Sequence, residues 1–223
     1  MPRPHRFAHV AAAVGASLLV GACSGGQKSS ESTSSTRADG TTTSTTAVEV
    51  SVDVEIATST IVGVGVAPDA SPPIDPTVVG ELRSTIDRYV EAALTGPLTG
   101  AEADWTDLVT MAVAGRLAVG SHDRGVITTE GQPNADSVDA TLAPVTLTGL
   151  TEGFGSLPLV TASIDFTAEM TTADGPLTVR HFGEVVLTNI DGWKLHGYEM
   201  IVVRDDHAGT PTTLTASTTG TTP

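Results

Sequence analysis

The chain has 223 residues, with 26 acidic and 11 basic side chains and a formal net charge of −15. A surface this acidic argues against binding of nucleic acid or anionic lipid through a basic patch. Aromatic residues make up only 4% of the chain, whereas glycine and proline number 23 and 13, so part of the chain lacks the side chains that build a core.

Residues 1–22 have the three parts of an export signal. Arg3 and Arg6 supply a cationic start, an apolar run follows, and small residues precede Cys23. The apolar run is too short to span a hydrocarbon layer of about 30 Å as a helix, which argues against a permanent transmembrane segment. The four residues from Val20 to Cys23 resemble a bacterial lipobox. The resemblance implies that the Cys23 thiol takes a diacylglycerol, becomes the new N-terminus and holds the protein on the extracytoplasmic face of the cell membrane.

Cys23 is the only cysteine of the chain, and two alternatives to its lipidation exist. In the first it is a chance residue beside the cleavage site of an ordinary signal peptide, and in the second it is a catalytic thiol. Lipidation consumes a thiol that cannot form an internal disulfide and is a liability in an oxidising compartment. The flanking residues 24–27 offer no base and no ordered scaffold that would lower the thiol pKa, which disfavours catalysis.

A tether rich in serine and threonine is predicted over residues 23–74. Residues 24–46 are almost wholly Ser, Thr and Gly, a composition that cannot recover the entropy lost on ordering. Residues 47–66 instead alternate β-branched residues with acidic and polar ones, a pattern typical of a strand. This segment is either an added edge strand or an extended part of the tether.

The folded domain is predicted over residues 75–205 and begins with helices. Asp75 is an N-cap that is followed by Pro76, a residue favoured in the first turn, and apolar residues then recur at helical spacing. A second helix is predicted near Asp104–Val119, and a weaker helical turn over Ser121–Thr129.

A meandering antiparallel sheet is predicted for the rest of the domain. Strands near Pro144–Thr151 and over Leu159–Thr172 precede a two-residue hairpin turn at Asp174-Gly175. A second hairpin turn is predicted at Asp191-Gly192. Residues 206–223 return to a threonine-rich composition and are predicted to be a disordered tail.

The position of each hairpin turn predicts which residues of the two joined strands lie opposite each other. Centring the first turn on Asp174-Gly175 places Ala168 opposite His181 on one face and Asp165 opposite Glu184 on the other. The second hairpin, if its loop has two residues, pairs Val185 with Tyr198, Gly183 with Met200, and Leu187 with His196.

Helices followed by a curved antiparallel sheet form an α+β plan. The element order over residues 75–205 resembles the cone-shaped fold of the nuclear transport factor two-like superfamily, which includes SnoaL-type cyclases. The local marker is Asp191-Gly192-Trp193-Lys194-Leu195, leading into Tyr198-Glu199-Met200. The chain also resembles actinobacterial lipoproteins that carry such a domain on a threonine-rich tether. The resemblance implies a cone-like sheet with Trp193 packed beneath it.

His181 is the leading candidate for chemistry. The predicted register places it on the inner face of the sheet, where Tyr198 and His196 join it. Enzymes of the superfamily place an Asp–His pair there to move protons next to a carbonyl group, which the resemblance extends to His181 and a nearby acid. The alternative is a core histidine that is neutral, because burial lowers its pKa, and that makes one hydrogen bond.

Asp165 and Glu184 are a weaker candidate pair. Adjacent carboxylates can share a proton and shift their pKa values, but on a solvated face they only repel each other mildly. The chain has no sequence motif for a metal, nucleotide phosphates or a serine nucleophile, so no cofactor is predicted. Two functions remain: a non-catalytic envelope lipoprotein that binds a protein partner or a small apolar ligand, or a lipid-anchored isomerase or dehydratase of the SnoaL type.

Overall fold

Seven strands form one curved, unclosed sheet. The computed structural model describes residues 48–63, 66, 71–151 and 157–218. The strands are β1 (Ile56–Gly63), β2 (Ala135–Leu142), β3 (Val145–Thr151), β4 (Leu159–Thr172), β5 (Gly175–Asn189), β6 (Trp193–Asp205) and β7 (Thr212–Ser217). The helices are α1 (Pro76–Tyr89), α2 (Met111–Ala114) and α3 (His122–Ile127). The predicted α+β class is thus confirmed.

The strand order is β1-β3-β4-β5-β6-β7, and β2 also pairs with β4. β2 lies along the C-terminal half of β4, and β3 lies along its N-terminal half. One face of the sheet packs against α1 and α3, and this buried face carries most of the hydrophobic core. The opposite face is called the outer face below.

Local capping defines the helix starts that the sequence predicts. The side chain of Asp75 accepts a hydrogen bond from the Thr77 amide at 2.8 Å, and Pro76 occupies the first turn of α1. After α1 the chain continues through a π-helical turn, Val90–Thr95. The helical turn predicted over Ser121–Thr129 is present as α3, which the Ser121 side chain caps.

The prediction of a second helix near Asp104–Val119 is wrong over most of that range, because only α2 is helical there. The Asp104 carboxylate accepts a hydrogen bond from the Thr106 amide at 2.9 Å and closes a turn in place of a helical cap. The Thr110 amide then donates to the Leu195 carbonyl at 2.9 Å. Pairing with β6 therefore takes up the backbone groups that a helix would need.

β4 has the predicted bounds and buries the predicted face. The turn into β5, however, lies at Ala173-Asp174, one residue before the predicted centre, so the register differs by two residues. Gly175 opens β5 with a φ of +121°, which only glycine adopts readily. The Thr172 hydroxyl accepts a hydrogen bond from the Asp174 amide at 3.2 Å and stabilises this earlier turn.

The two-residue shift keeps each side chain on its predicted face but changes its partner. His181 lies opposite Phe166 and not Ala168, and Asp165 lies opposite Phe182 and not Glu184. The prediction that the carboxylates of Asp165 and Glu184 pair directly on the outer face is therefore wrong.

In the second hairpin, the residue pairs distant from the turn match the prediction, and those next to the turn do not. Val185 pairs with Tyr198, and Gly183 pairs with Met200, as predicted, but Leu187 pairs with Leu195 and not with His196. The loop has three residues, 190–192, and an irregularity between Val186 and Leu187 absorbs the extra one.

Both ends of the sheet come from segments outside the predicted domain of residues 75–205. β1 pairs in parallel with β3, so part of segment 47–66 is an added strand. β7 pairs with β6 and corrects the disordered tail predicted over 206–223 as far as residue 218; the last five residues lie outside the described part of the chain. Threonine-rich sequence resembles a linker by composition, but threonine is β-branched and favours strands, and Ala216 of β7 reaches the core.

β2 was not predicted. Its sequence contains two aspartates and alternates only weakly between polar and apolar residues. Among the described residues, no helix combines the length and the apolar character needed to cross a membrane. Cys23 and the signal lie outside the described residues.

Candidate functional site

His181 lies on the buried face of β5, directly beneath α3. Its side chain has 0% exposure, and its Nδ1 lies 2.8 Å from the Val126 carbonyl oxygen. Because that oxygen only accepts, Nδ1 carries the proton and donates it. The second ring nitrogen, Nε2, is buried and has no hydrogen-bond partner among the described residues. A solvent-borne substrate cannot reach this imidazole unless α3 moves away.

Burial lowers the pKa of His181 to about 4. The hydrogen bond to Val126 acts in the opposite direction and raises the pKa, whereas the positive charge of Arg204 lowers it further. Desolvation is the largest of these effects, so the imidazole is neutral near pH 7.

Tyr198, the second inner-face candidate, belongs to a hydrogen-bond network with Asp123 of α3 and with Arg116. Its hydroxyl donates to Oδ2 of Asp123 at 2.7 Å, and Nε of Arg116 donates to the same oxygen at 2.6 Å. The Arg116 guanidinium also lies 5.7 Å from the centre of the Tyr198 ring. The phenol is therefore held by an acid on one side and a cation on the other.

The network shifts the pKa values of Asp123 and Tyr198. Burial acts to raise the pKa of Asp123, but the hydrogen bonds from Tyr198 and Arg116 and the charge of Arg116 outweigh it and lower the pKa. Burial raises the pKa of the Tyr198 phenol, and the hydrogen bond to Asp123 raises it further. Tyr198 is thus a fixed hydrogen-bond donor and not a base near pH 7.

The predicted acids Asp165 and Glu184 lie away from these groups, on the outer face. Asp165 forms a two-pronged ion pair with Arg180, at 2.8 and 2.7 Å, and Glu184 is exposed opposite Glu199. His196, predicted on the inner face, is exposed as well. The structure therefore brings His181 and Tyr198 to one face and separates them from both predicted acids.

A groove that the sequence did not predict lies between α1 and the β5–β6 hairpin. Its volume is about 1090 Å³, comparable with the upper size of small-molecule sites. α1 and the loop around residues 189–192 both line the groove, and Asp107 lines it as well.

Trp193 lies in this groove with only 6% exposure. Its indole nitrogen donates a hydrogen bond to Oε2 of Glu81 at 3.2 Å. The bond satisfies a buried donor and fixes the carboxylate of Glu81, which is exposed on α1. The predicted burial of Trp193 is confirmed.

The other charged side chains of the groove come from three separate segments: α1, the loop around Asp107 and the β5–β6 hairpin. Arg88 lies on α1, where its guanidinium also donates to the Thr106 carbonyl at 3.2 Å. Asp107 and Asp191 stand at the groove with left-handed φ values of +56° and +53°, and Lys194 adds a second cation. Sequence spacing gives no sign of a groove assembled from such distant residues.

Within the part of the chain that the structure describes, no group of three His, Cys, Asp or Glu side chains is arranged to hold a metal ion. Comparison of the chain with models of protein families, with curated proteins and with solved structures finds no match. A function is therefore inferred below from the residues of this chain alone.

Proposed function

We propose that this protein is a lipid-anchored domain of the cell envelope that binds a ligand or partner and does not use His181 as a catalytic residue. In this proposal Cys23 carries the lipid, the threonine-rich segment is the tether, and the described residues form the binding domain. The helices on one face of a curved sheet support a relationship to the nuclear transport factor two-like superfamily.

The separation of the candidate residues carries the non-catalytic part of the proposal. Proton transfer by His181 would need an acid within reach and a substrate beside the ring. Asp165 and Glu184 lie on the opposite face of the sheet, and the imidazole has 0% exposure. The isomerase or dehydratase alternative lacks both requirements in this arrangement.

An open groove favours binding as the role of the domain. The groove beside Trp193 is accessible from solvent and is lined by side chains that donate and accept hydrogen bonds. Ligand sites in proteins are concave and use placed polar groups to orient the ligand. This groove is concave but open, and its lining is mostly polar, whereas the surroundings of His181 offer no access to solvent.

The lipid anchor is tested by substitution of Cys23. In an actinobacterial host, the unaltered chain should fractionate with membranes and dissolve only in detergent, and its intact mass should show a start at Cys23 plus lipid. Cys23→Ser removes the thiol that forms the thioether to the lipid, so this variant should appear in the medium or stay uncleaved.

Ser24→Ala is the matched control, because it alters the neighbouring residue and leaves the thiol in place; this variant should remain with the membranes. A mature chain that starts elsewhere and carries a free thiol would refute the anchor.

A further inference from the structure

We propose that the groove beside Trp193 binds an uncharged, hydroxyl-rich ligand of the size of a short oligosaccharide. The inference deepens the proposed binding role, because it names the class of ligand and the residues that select it. It replaces the small apolar ligand that the sequence suggested with a polar one.

The charges of the groove favour a neutral ligand. Glu81, Asp107 and Asp191 place three carboxylates in it, and Arg88 and Lys194 place two cations there. Because the three carboxylates and two cations nearly cancel, neither an anionic nor a cationic ligand meets a groove of strongly opposite charge. A ligand without charge but with many hydroxyl groups can instead use both kinds of side chain, because carboxylates accept and guanidinium and ammonium groups donate hydrogen bonds.

Two of these charged groups already make a hydrogen bond within the protein. The Trp193 indole holds Glu81 at 3.2 Å, and the Thr106 carbonyl holds Arg88 at 3.2 Å. Preorganised groups lose less conformational entropy on binding than free ones. The hydroxyl groups of Thr77 and Ser84, both exposed, add further short-range donors and acceptors along the α1 wall.

Gly80 leaves room for a ligand beside α1. It lies in the interior of the helix, where glycine is less favourable than alanine. A Cβ atom built on Gly80 would meet nothing within 4 Å, so packing against the protein does not require glycine here. Gly80 lines the groove, and its missing side chain leaves room for a ligand against the helix backbone.

Two-dimensional NMR of the indole groups tests the proposal directly. The chain has only two tryptophans, so its full-length, detergent-solubilised form gives two indole N–H signals, and Trp105→Phe assigns them. The probes are the neutral tetrasaccharides of N-acetylglucosamine and of glucose, with an anionic heparin tetrasaccharide for comparison. At least one neutral probe should shift the Trp193 signal saturably, and the anionic probe should not.

Gly80→Leu fills the groove and should weaken binding by about tenfold or more, while the thermal midpoint stays the same or rises because leucine favours helix. Gly125→Leu is the matched control, since a Cβ at Gly125 also meets nothing within 4 Å but Gly125 does not line the groove. This control should bind as the unaltered chain does.

Three results would overturn the inference: no neutral probe shifts the Trp193 signal of the folded chain, Gly80→Leu binds undiminished, or the anionic probe binds as well as the neutral ones. None of these results affects the fractionation of Cys23→Ser, and loss of the lipid anchor leaves the groove unchanged. Failure of the ligand proposal and failure of the anchor proposal are therefore distinguishable.

Discussion

At the scale of single residues, the imidazole of His181 titrates in a part of the sheet that water does not reach. Its pKa is lowered to about 4 in the folded chain, whereas the imidazole of an unfolded chain titrates near 6.5. Between these values the unfolded chain binds a proton that the folded chain excludes. The contribution of His181 to stability is thus fully present above about pH 6.5 and is lost as the pH falls towards 4.

His181→Asn removes this titration and keeps an amide donor for the Val126 carbonyl. The free energy of unfolding of the unaltered chain should fall by about 2–3 kcal/mol more than that of the variant between pH 7.5 and 4.5. Urea unfolding at a series of pH values, followed by circular dichroism, measures both curves. The other histidines and the carboxylates are common to the two proteins and cancel in the difference. Parallel curves would show that His181 is not desolvated.

Residue-level prediction from the sequence succeeded where the environment follows from alternation along a strand. The burial of His181 followed from its place among apolar residues of β5, and an even register error left it on the same face. The hydrogen-bond partner of His181 could not be predicted, because Val126 belongs to α3 and is distant in sequence. For the same reason, no local pattern predicted the contact between Trp193 and Glu81.

At the scale of elements, β7 is held by side chains as well as by its ladder with β6. The Arg116 guanidinium donates to the Ser217 carbonyl at 2.8 Å, and the His122 ring lies 2.8 Å from the Thr215 carbonyl oxygen. Arg116 also binds Asp123, so one side chain connects β7 to α3.

Arg116→Met should therefore loosen β7 without unfolding the domain. Amides of residues 212–217 should exchange with deuterium about tenfold faster or more, because local opening of an edge strand no longer has to break the Arg116 contacts. Arg83→Met is the control, since Arg83 lies on α1 and pairs with Asp87 at 4.0 Å on an exposed surface, and it should leave exchange in β7 unchanged. Equal exchange in both variants would mean that Arg116 does not hold this strand.

Among the elements, those with strong local signals were predictable. The cap at Asp75 and the alternation of β4 each specify one structure. The segment after Asp104 carried an equally good cap, but the Asp104 side chain closes a turn there and the chain pairs with β6. Tertiary pairing overrode local propensity in that segment.

At the scale of the whole molecule, the sheet extends beyond the domain that composition delimits. β1 and β7 lie outside residues 75–205, and Val54 is 1% exposed although it precedes β1. We therefore expect limited proteolysis to leave a resistant core that begins near residue 48 and ends near residue 218. Mass spectrometry of the resistant fragment defines its ends, and a stable fragment starting near residue 75 would show that β1 is dispensable.

The overall class was predictable because helical and strand periodicities occupy separate parts of the chain. The groove was not predictable, since its walls come from α1, from the loop around Asp107 and from the β5–β6 hairpin. Only the tertiary structure brings these three segments together.

The parallel pairing of β1 with β3 has a mechanical consequence. In a parallel ladder the hydrogen bonds are evenly spaced along the strands, and β1 is paired from Ile56 to Gly63. The proposed tether precedes β1 in the sequence, so a pulling force on it would reach the domain through the part of the chain that pairs with β3. Where such a force acts along the strands, it loads these bonds together in shear and does not open them one at a time.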